Sequence, residues 1–336
     1  MNQQASVPPN NAPYPDMFAL VCDGSGTSHD CAPGELPEEQ LSGSETAFRW
    51  VHLHRDNPET IEWLRGQGID SLVLEALLAE ETRPRCTVHG DGVILILRGV
   101  NLNPGAEPED MVSVRLWIDQ SGVIGIWRRP LMAVRDLLDD ANRHNAPHSP
   151  GDLVAKLALR LADRAEPLIA TLNEQLDDLE EAVLDETVDL SRGPLARIRR
   201  MAIVLRRFMF PQRDALTTLE IESLSWLTDR DRSRIREAAD RITRLGEELD
   251  AIRDRAQVVH DQVLDKRSET MNRRMLVLAV ATAFFLPLGL LTGLLGINVG
   301  GIPGADVKWA FGAVCGLIVV IGAVQYWLFR HFDLMR

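Results

Sequence analysis

Residues 275–305 read MLVLAVATAFFLPLGLLTGLLGINVGGIPGA, and residues 309–329 read WAFGAVCGLIVVIGAVQYWLF. Neither stretch holds a charged side chain. Each exceeds the roughly 20 apolar residues that carry a helix across a bilayer. The pair reads as a transmembrane hairpin. It excludes a purely soluble protein, although the mean hydropathy over all 336 residues is only -0.08. Basic residues flank the hairpin unevenly. Lys266, Arg267, Arg273 and Arg274 precede it and Arg330 and Arg336 follow it, whereas the connecting loop has Lys308 offset by Asp306. The excess of bases places both termini in the cytoplasm and the loop outside.

Upstream of the hairpin, Ile235, Ala238, Ile242, Leu245, Leu249, Ile252, Ala256, Val259 and Val263 alternate spacings of three and four. That is an a/d seam with Arg, Glu and Asp on the other positions. Because the seam runs without proline to Pro287, it predicts one helix over 231–296, roughly 100 Å long. Such a rod is expected to find partners along its length. Two further helical stretches precede it, one carrying Leu168, Leu172, Leu176, Leu179, Val183 and Leu190, the other opening at Pro194 with a kink expected at Pro211. Before residue 150 the pattern is mixed. Strands are expected at 18–22, 50–54, 87–89, 93–100, 111–118 and 123–127, and helices at 58–64, 71–80 and 130–142. The fold class is an α/β cytoplasmic domain plus long stalk helices and a two-helix C-terminal transmembrane hairpin. The divisions are a variable acidic lead-in (1–45), the α/β domain (46–150), a helical part (151–230), the stalk (231–274), a first span (275–298), a loop (299–308), a second span (309–329) and a tail (330–336).

The net charge of -13 sits mostly in residues 1–150, where 22 acids face 11 bases. An acidic cytoplasmic domain argues against a nucleic-acid partner and suits the attraction of cations. Cys22, Cys31, Cys86 and Cys315 form no CxxC pair, so a disulfide framework is not expected. The first twenty residues lack the basic and apolar regions of a secretory signal. No GxxxxGK[ST] loop is present, which argues against ATP drive, and nothing points to a hydrolytic enzyme.

Two membrane helices cannot enclose an aqueous path alone, so conduction requires several copies around an axis. Met275, Thr282, Gly289 and Gly296 recur at spacing seven, with Asn272 one turn earlier and Leu278, Ala279, Leu286 and Gly293 beside them. Small and polar groups on one face suit a narrow lumen. Gly289-xxx-Gly293 and Gly312-xxx-Gly316 permit close helix packing. The segment from Leu295 to Gly304 is too glycine-rich to continue a helix, and helix-terminal carbonyls there carry partial negative charge. A ring of Asn298 amides could bind the water shell of a cation. Each feature has a plainer reading beside it: packing, coincidence, a tight turn, or an oligomer that conducts nothing.

The Gly296-Ile297-Asn298 motif ends the penultimate span behind a long stalk. Trp50-Val-His-Leu-His, Glu81-Thr-Arg-Pro-Arg, Asp110-Met-Val-Ser-Val-Arg-Leu and Phe210-Pro-Gln-Arg-Asp214 accompany it. In these residues the chain resembles the CorA superfamily of divalent-cation transporters from about Phe48 to Arg336. The Gly-Ile-Asn variant resembles the zinc-transporting ZntB-type branch. The resemblance implies a funnel-shaped homopentamer of a bacterial inner membrane, with the first span lining the pore and the second facing lipid. It makes Gly296, Ile297 and Asn298 the selectivity motif and Asn272, Met275, Leu278, Thr282, Leu286, Gly289 and Gly293 pore-facing positions. Leu295 stands where magnesium members carry an aromatic residue, and no acid follows the motif within seven residues. Both departures favour zinc, with proton-coupled entry the mode the branch implies.

Zinc is ordinarily held by His, Cys or carboxylate. The first span offers none, so pore contacts are expected through the ion's water shell. His52 and His54 share a strand face and could form a metal site, or a satisfied sheet pair. His260 on the stalk could carry protons, or be a solvated histidine. His29 with Cys31 and Cys22 could bind zinc in a loop, though in no known finger spacing. Acids on residues 172–189 read as a solvated helix face or as a cation-attracting one. No prosthetic group is expected, and Zn2+ is the substrate. The alternatives are a magnesium, cobalt or nickel channel of the same fold, or a membrane-tethered coiled-coil scaffold without permeation.

Overall fold

The apolar runs of the N-terminal half are strands of one sheet. In the computed structural model, residues 17–32, 47–80, 82–184, 192–297 and 308–331 are described. They divide between two compact units, Met1–Val259 and His260–Arg336. In the first unit, β1 (Met17–Cys22), β2 (Ser28–Asp30), β3 (Phe48–His54), β4 (Arg85–His89), β5 (Gly92–Gly99), β6 (Val112–Asp119) and β7 (Gly122–Trp127) form a sheet in the order β2-β1-β3-β7-β6-β5-β4. Only β3 and β7 pair in parallel; the other neighbours are antiparallel. Local chemistry sets the reversals. Gly90, at φ 59°, takes the first position of the two-residue β4–β5 turn that side chains resist. At the β6–β7 turn, Asp119 Oδ1 accepts from the backbone N–H of Ser121 and of Gly122 at 2.8 and 3.1 Å. β2 escapes a periodicity search because Ser-His-Asp carries no apolar residue.

The central strands read as unbroken apolar runs because both sheet faces are covered. On one face, Val51, Leu53, Ile94, Ile96, Ile124 and Ile126 pack beneath α1 (Pro58–Gly66) and α2 (Ser71–Leu78) through Leu64, Val73, Ala76 and Leu77. Asn57 and Asp70 cap these helices, each accepting from the backbone N–H two residues on. The other face meets α3 (Met132–Asn142) and α4 (Pro150–Leu184), where a Cβ at Gly99 would stand 2.7 Å from both Leu131 and Leu161. α5 (Arg192–Ile221) continues through Pro211 and packs on β4 and β5. α6 (Asp229–Leu295) is the long uninterrupted helix that the seam predicts, and α7 (Ala310–His331) is the second apolar helix.

Two N-terminal caps interlock where α4 and α6 begin, the second a reciprocal capping box in which Asp231 Oδ2 accepts from Thr228 N at 3.2 Å. Ser149 Oγ accepts from Asp152 N at 2.9 Å and donates to Asp231 Oδ2 at 3.1 Å. Thr228 Oγ1 accepts from Asp231 N and donates to the same carboxylate at 2.8 Å. Asp152 also pairs with Lys156 at 3.2 Å and with Arg234 of α6. Its carboxyl titrates below the usual range although burial opposes this; the His148 N–H, Lys156 and Arg234 all favour the anion.

The seam itself corrects an expectation. Ile235, Ala238, Ile242, Leu245, Leu249, Ile252, Ala256 and Val259 are buried within the single chain. The subunit's own α4 and α5 cover them. Arg241 pairs with Asp163 at 2.6 Å, Arg206 pairs with Asp250, and Gly246 lies against the Phe210 ring. A three- and four-residue repeat reports a buried stripe without saying whose side chains bury it.

Candidate permeation path

α6 beyond Arg274 and α7 are each long and apolar enough to cross a membrane. They pack along one seam. On α6 the half-buried positions are Val280, Ala281, Phe284, Leu288 and Leu291; on α7 they are Ala310, Val314, Ile318, Ile321, Gly322, Gln325 and Phe329. Gly322 admits the Phe284 ring, whose Cζ would lie 3.8 Å from a Cβ there. Gln325 Nε2 donates to the Ala283 carbonyl at 3.2 Å, which occupies the amide's donor, while its Oε1 has no partner among the described residues.

Asn272, Met275, Leu278, Thr282, Leu286, Gly289 and Gly293 are all exposed within the subunit. They lie on the opposite side of α6, roughly half a turn from the α7 seam at 100° per residue. Met275, Leu278 and Leu286 expose 56, 68 and 69% of their surface, so this stripe is apolar and awaits a neighbour or a lumen. A Cβ at Gly289 or Gly293 would meet nothing within 4 Å, nor would one at Gly312 or Gly316. Neither GxxxG pair therefore packs α6 against α7; Gly322, with Ala281 and Ala310, supplies small residues to that seam.

Thr282 is the stripe's polar group beyond Asn272. Its hydroxyl donates to the Leu278 carbonyl at 2.8 Å, a local bond that spends the donor and leaves acceptor lone pairs. A side chain in that state suits the outward O–H groups of a hydrated cation. The helix closes at Gly296, whose N–H donates to Thr292 O at 2.9 Å and Gly293 O at 3.2 Å. Ile297 is half exposed. Asn298 and the loop after it lie outside the described residues, as do Glu81, residues 1–16 and 33–46, residues 185–191 and the tail after His331.

The histidines do not converge. His52 is 1% exposed, stacked between Phe18 at 5.3 Å and Trp127 at 6.3 Å, with neither ring nitrogen hydrogen-bonded among the described residues. Burial lowers its pKa to about 3, and no water-borne ion reaches it. It is thus neither an accessible ligand nor a satisfied pair with His54, which contacts Trp127 edge-on and Arg128 O at 3.2 Å. His260 is half-buried on α6. Among the described residues, no three His, Cys, Asp or Glu groups gather as a metal site, His29, Cys22 and Cys31 included. All four cysteines are free thiols. Of the acids on 172–184, Asp177 and Glu180 are taken by Arg255, which also reaches Asn173 at 2.8 Å. These bonds raise the guanidinium's pKa. What sequence reasoning missed here is the α7 half of the seam, where Gln325 was the signal: a lone amide in an apolar span needs a partner.

Residues 45–331 match the family described as CorA-like Mg2+ transporter protein. The chain is 43% identical over 299 residues to the divalent cation transporter CmaX of Pseudomonas aeruginosa, covering 88% of each. It is 39% identical over 318 residues to the zinc transport protein ZntB of Pectobacterium carotovorum, covering 94% of each. Among solved structures, that of full-length CmaX superposes with a TM-score of 0.84 at 39% identity, over 96% of this chain and 99% of that one. The α/β unit, the long helix and the apolar helix pair therefore have one reading: the chain belongs to the CorA family of divalent-cation transporters.

Proposed function

We propose that this chain forms a homopentamer in a bacterial inner membrane and carries zinc inward, coupled to protons, along a lumen walled by α6. The observation that carries this reading is the exposed stripe from Asn272 to Gly293, on the side of α6 turned away from α7. A helix that spends one face on its hairpin partner and leaves small, polar and apolar groups on the other is built to surround an axis with its copies. α7 then faces lipid, and both termini are cytoplasmic by the distribution of Lys and Arg. Gly296, Ile297 and Asn298 form the outer selectivity ring. No acid, His or Cys occurs from Met275 to Gly304. The lumen therefore handles the ion with its water shell, and Thr282 offers acceptors to that shell.

Zinc is favoured by the ZntB relative's name and by the missing acid beside the motif. A magnesium, cobalt or nickel channel is the second reading, favoured by the description of the matching family. Flux into proteoliposomes separates them. The proposal expects zinc uptake that exceeds magnesium uptake and rises at least threefold with an inward proton gradient. Uptake indifferent to the gradient and equal for both metals supports the channel, and no uptake of either overturns transport.

A further inference from the structure

Four arginines share one sheet face. Arg55 and Arg128 follow directly on β3 and β7, Arg98 of β5 stands opposite Ser113 of β6, and Arg115 lies two residues along β6, opposite Ile96 and Ile126. By the two-residue period of a strand, all four project from the face that carries Leu53, Ile96 and Ile126. Three of them converge on the chain just after α2, and Arg128 reaches Asp56 instead. Arg115 Nη2 donates to Ala79 O at 2.8 Å and Glu80 O at 3.3 Å. Arg55 Nη1 approaches Ala79 O at 3.4 Å, and Arg98 donates from Nε and Nη2 to Thr82 O at 3.1 and 2.7 Å.

Arg115 is the anomaly. It is 2% exposed, and its Nε and Nη1 are buried with no hydrogen-bond partner among the described residues; the Thr82 hydroxyl, two residues beyond the Glu80 carbonyl that Arg115 holds, is buried and without a partner among them as well. Capping the carbonyl end of α2 uses Nη2 alone. Burial, with Arg55, Arg98 and Arg128 nearby, lowers the Arg115 pKa to about 10, and Asp56 opposes this only weakly. Asp56 is itself paired with Arg55 at 3.0 Å and Arg128 at 3.4 Å. A buried guanidinium with two idle donors, ringed by like charge, is costly unless an anion meets it. Planar N–H forks match oxyanions best. Arg128, 58% exposed at its side chain, marks the way in.

We propose that Arg115, with Arg55, Arg128 and the Thr82 hydroxyl, forms a binding site for a phosphate-type oxyanion in the N-terminal unit, separate from the permeation path. The test is thermal unfolding of the full chain in detergent and halide-free buffer, with inorganic phosphate or chloride added at matched ionic strength. Phosphate is expected to raise Tm saturably, by about 5 °C at a hundredfold excess over half-saturation. Arg128→Ala, a change at the exposed rim, should weaken half-saturation at least threefold while leaving the ligand-free Tm unchanged. Arg115→Met should abolish the response. No saturable shift in the wild type overturns the proposal, as does equal stabilisation by chloride or an unaltered response in Arg128→Ala. A shift confined to Glu81→Gln would also overturn it, by assigning the counter-charge to the chain's own carboxylate.

Discussion

His52 and Gly125 show how tightly the centre of the sheet is specified. A Cβ at Gly125 would stand 2.2 Å from His52 Nδ1 and 3.3 Å from Leu116. Gly125→Ala is expected to cost about 1–3 kcal/mol through overpacking, read as a lowered Tm. The same burial makes His52 a pH liability. Its pKa falls from 6.5 to about 3 on folding, so the unfolded chain binds the proton more readily. The stability held by neutral His52 is complete above pH 6.5 and is lost as pH falls toward 3, at roughly 1.4 kcal/mol per pH unit. His52→Leu should flatten the stability profile across that window by one proton; an unchanged slope would show that the ring is hydrated. At the other end of the chain, Asn298→Ala should cut zinc flux at least tenfold with the oligomer intact. Wild-type flux would remove the motif from selectivity.

The helices make their commitments inside the subunit. Leu249 is fully buried on α6 against the chain's own α4 and α5. Leu249→Asp is therefore expected to unfold the N-terminal unit, with a loss of more than about 4 kcal/mol, rather than release folded monomers. A folded monomer in detergent, seen by mass and by circular dichroism, would return the seam to the oligomer interface. The interlocked caps predict a smaller effect. Asp231→Ala strips the acceptor from Ser149 and Thr228 and should cost about 2 kcal/mol. Which elements exist was legible in the sequence: the proline-free repeat named α6, and apolar runs bounded by Gly and Asp named the central strands. What covers each face was not. Ile235 to Val259 repeats identically whether a copy or a fold-back helix fills it, and Arg115 reads as one more strand residue until its depth is known.

For the molecule as a whole, the candidate path divides along the same line. Thr282, Leu286 and Gly289 could be grouped by spacing, because residues on one side of a helix recur with its period, and the structure leaves that side exposed. The α7 seam at Phe284, Gly322 and Gln325 could not, since apolar residues cover every side of both spans and only packing distinguishes them. Thr282→Cys and, as a lipid-side control, Val319→Cys in proteoliposomes address this directly. A charged, membrane-impermeant thiol reagent added during zinc flux should block Thr282→Cys by at least 80% and leave Val319→Cys and the wild type, with its native cysteines, conducting. Equal sensitivity of the two variants, or flux through a fully labelled Thr282→Cys, would mean that the exposed side of α6 does not line the path.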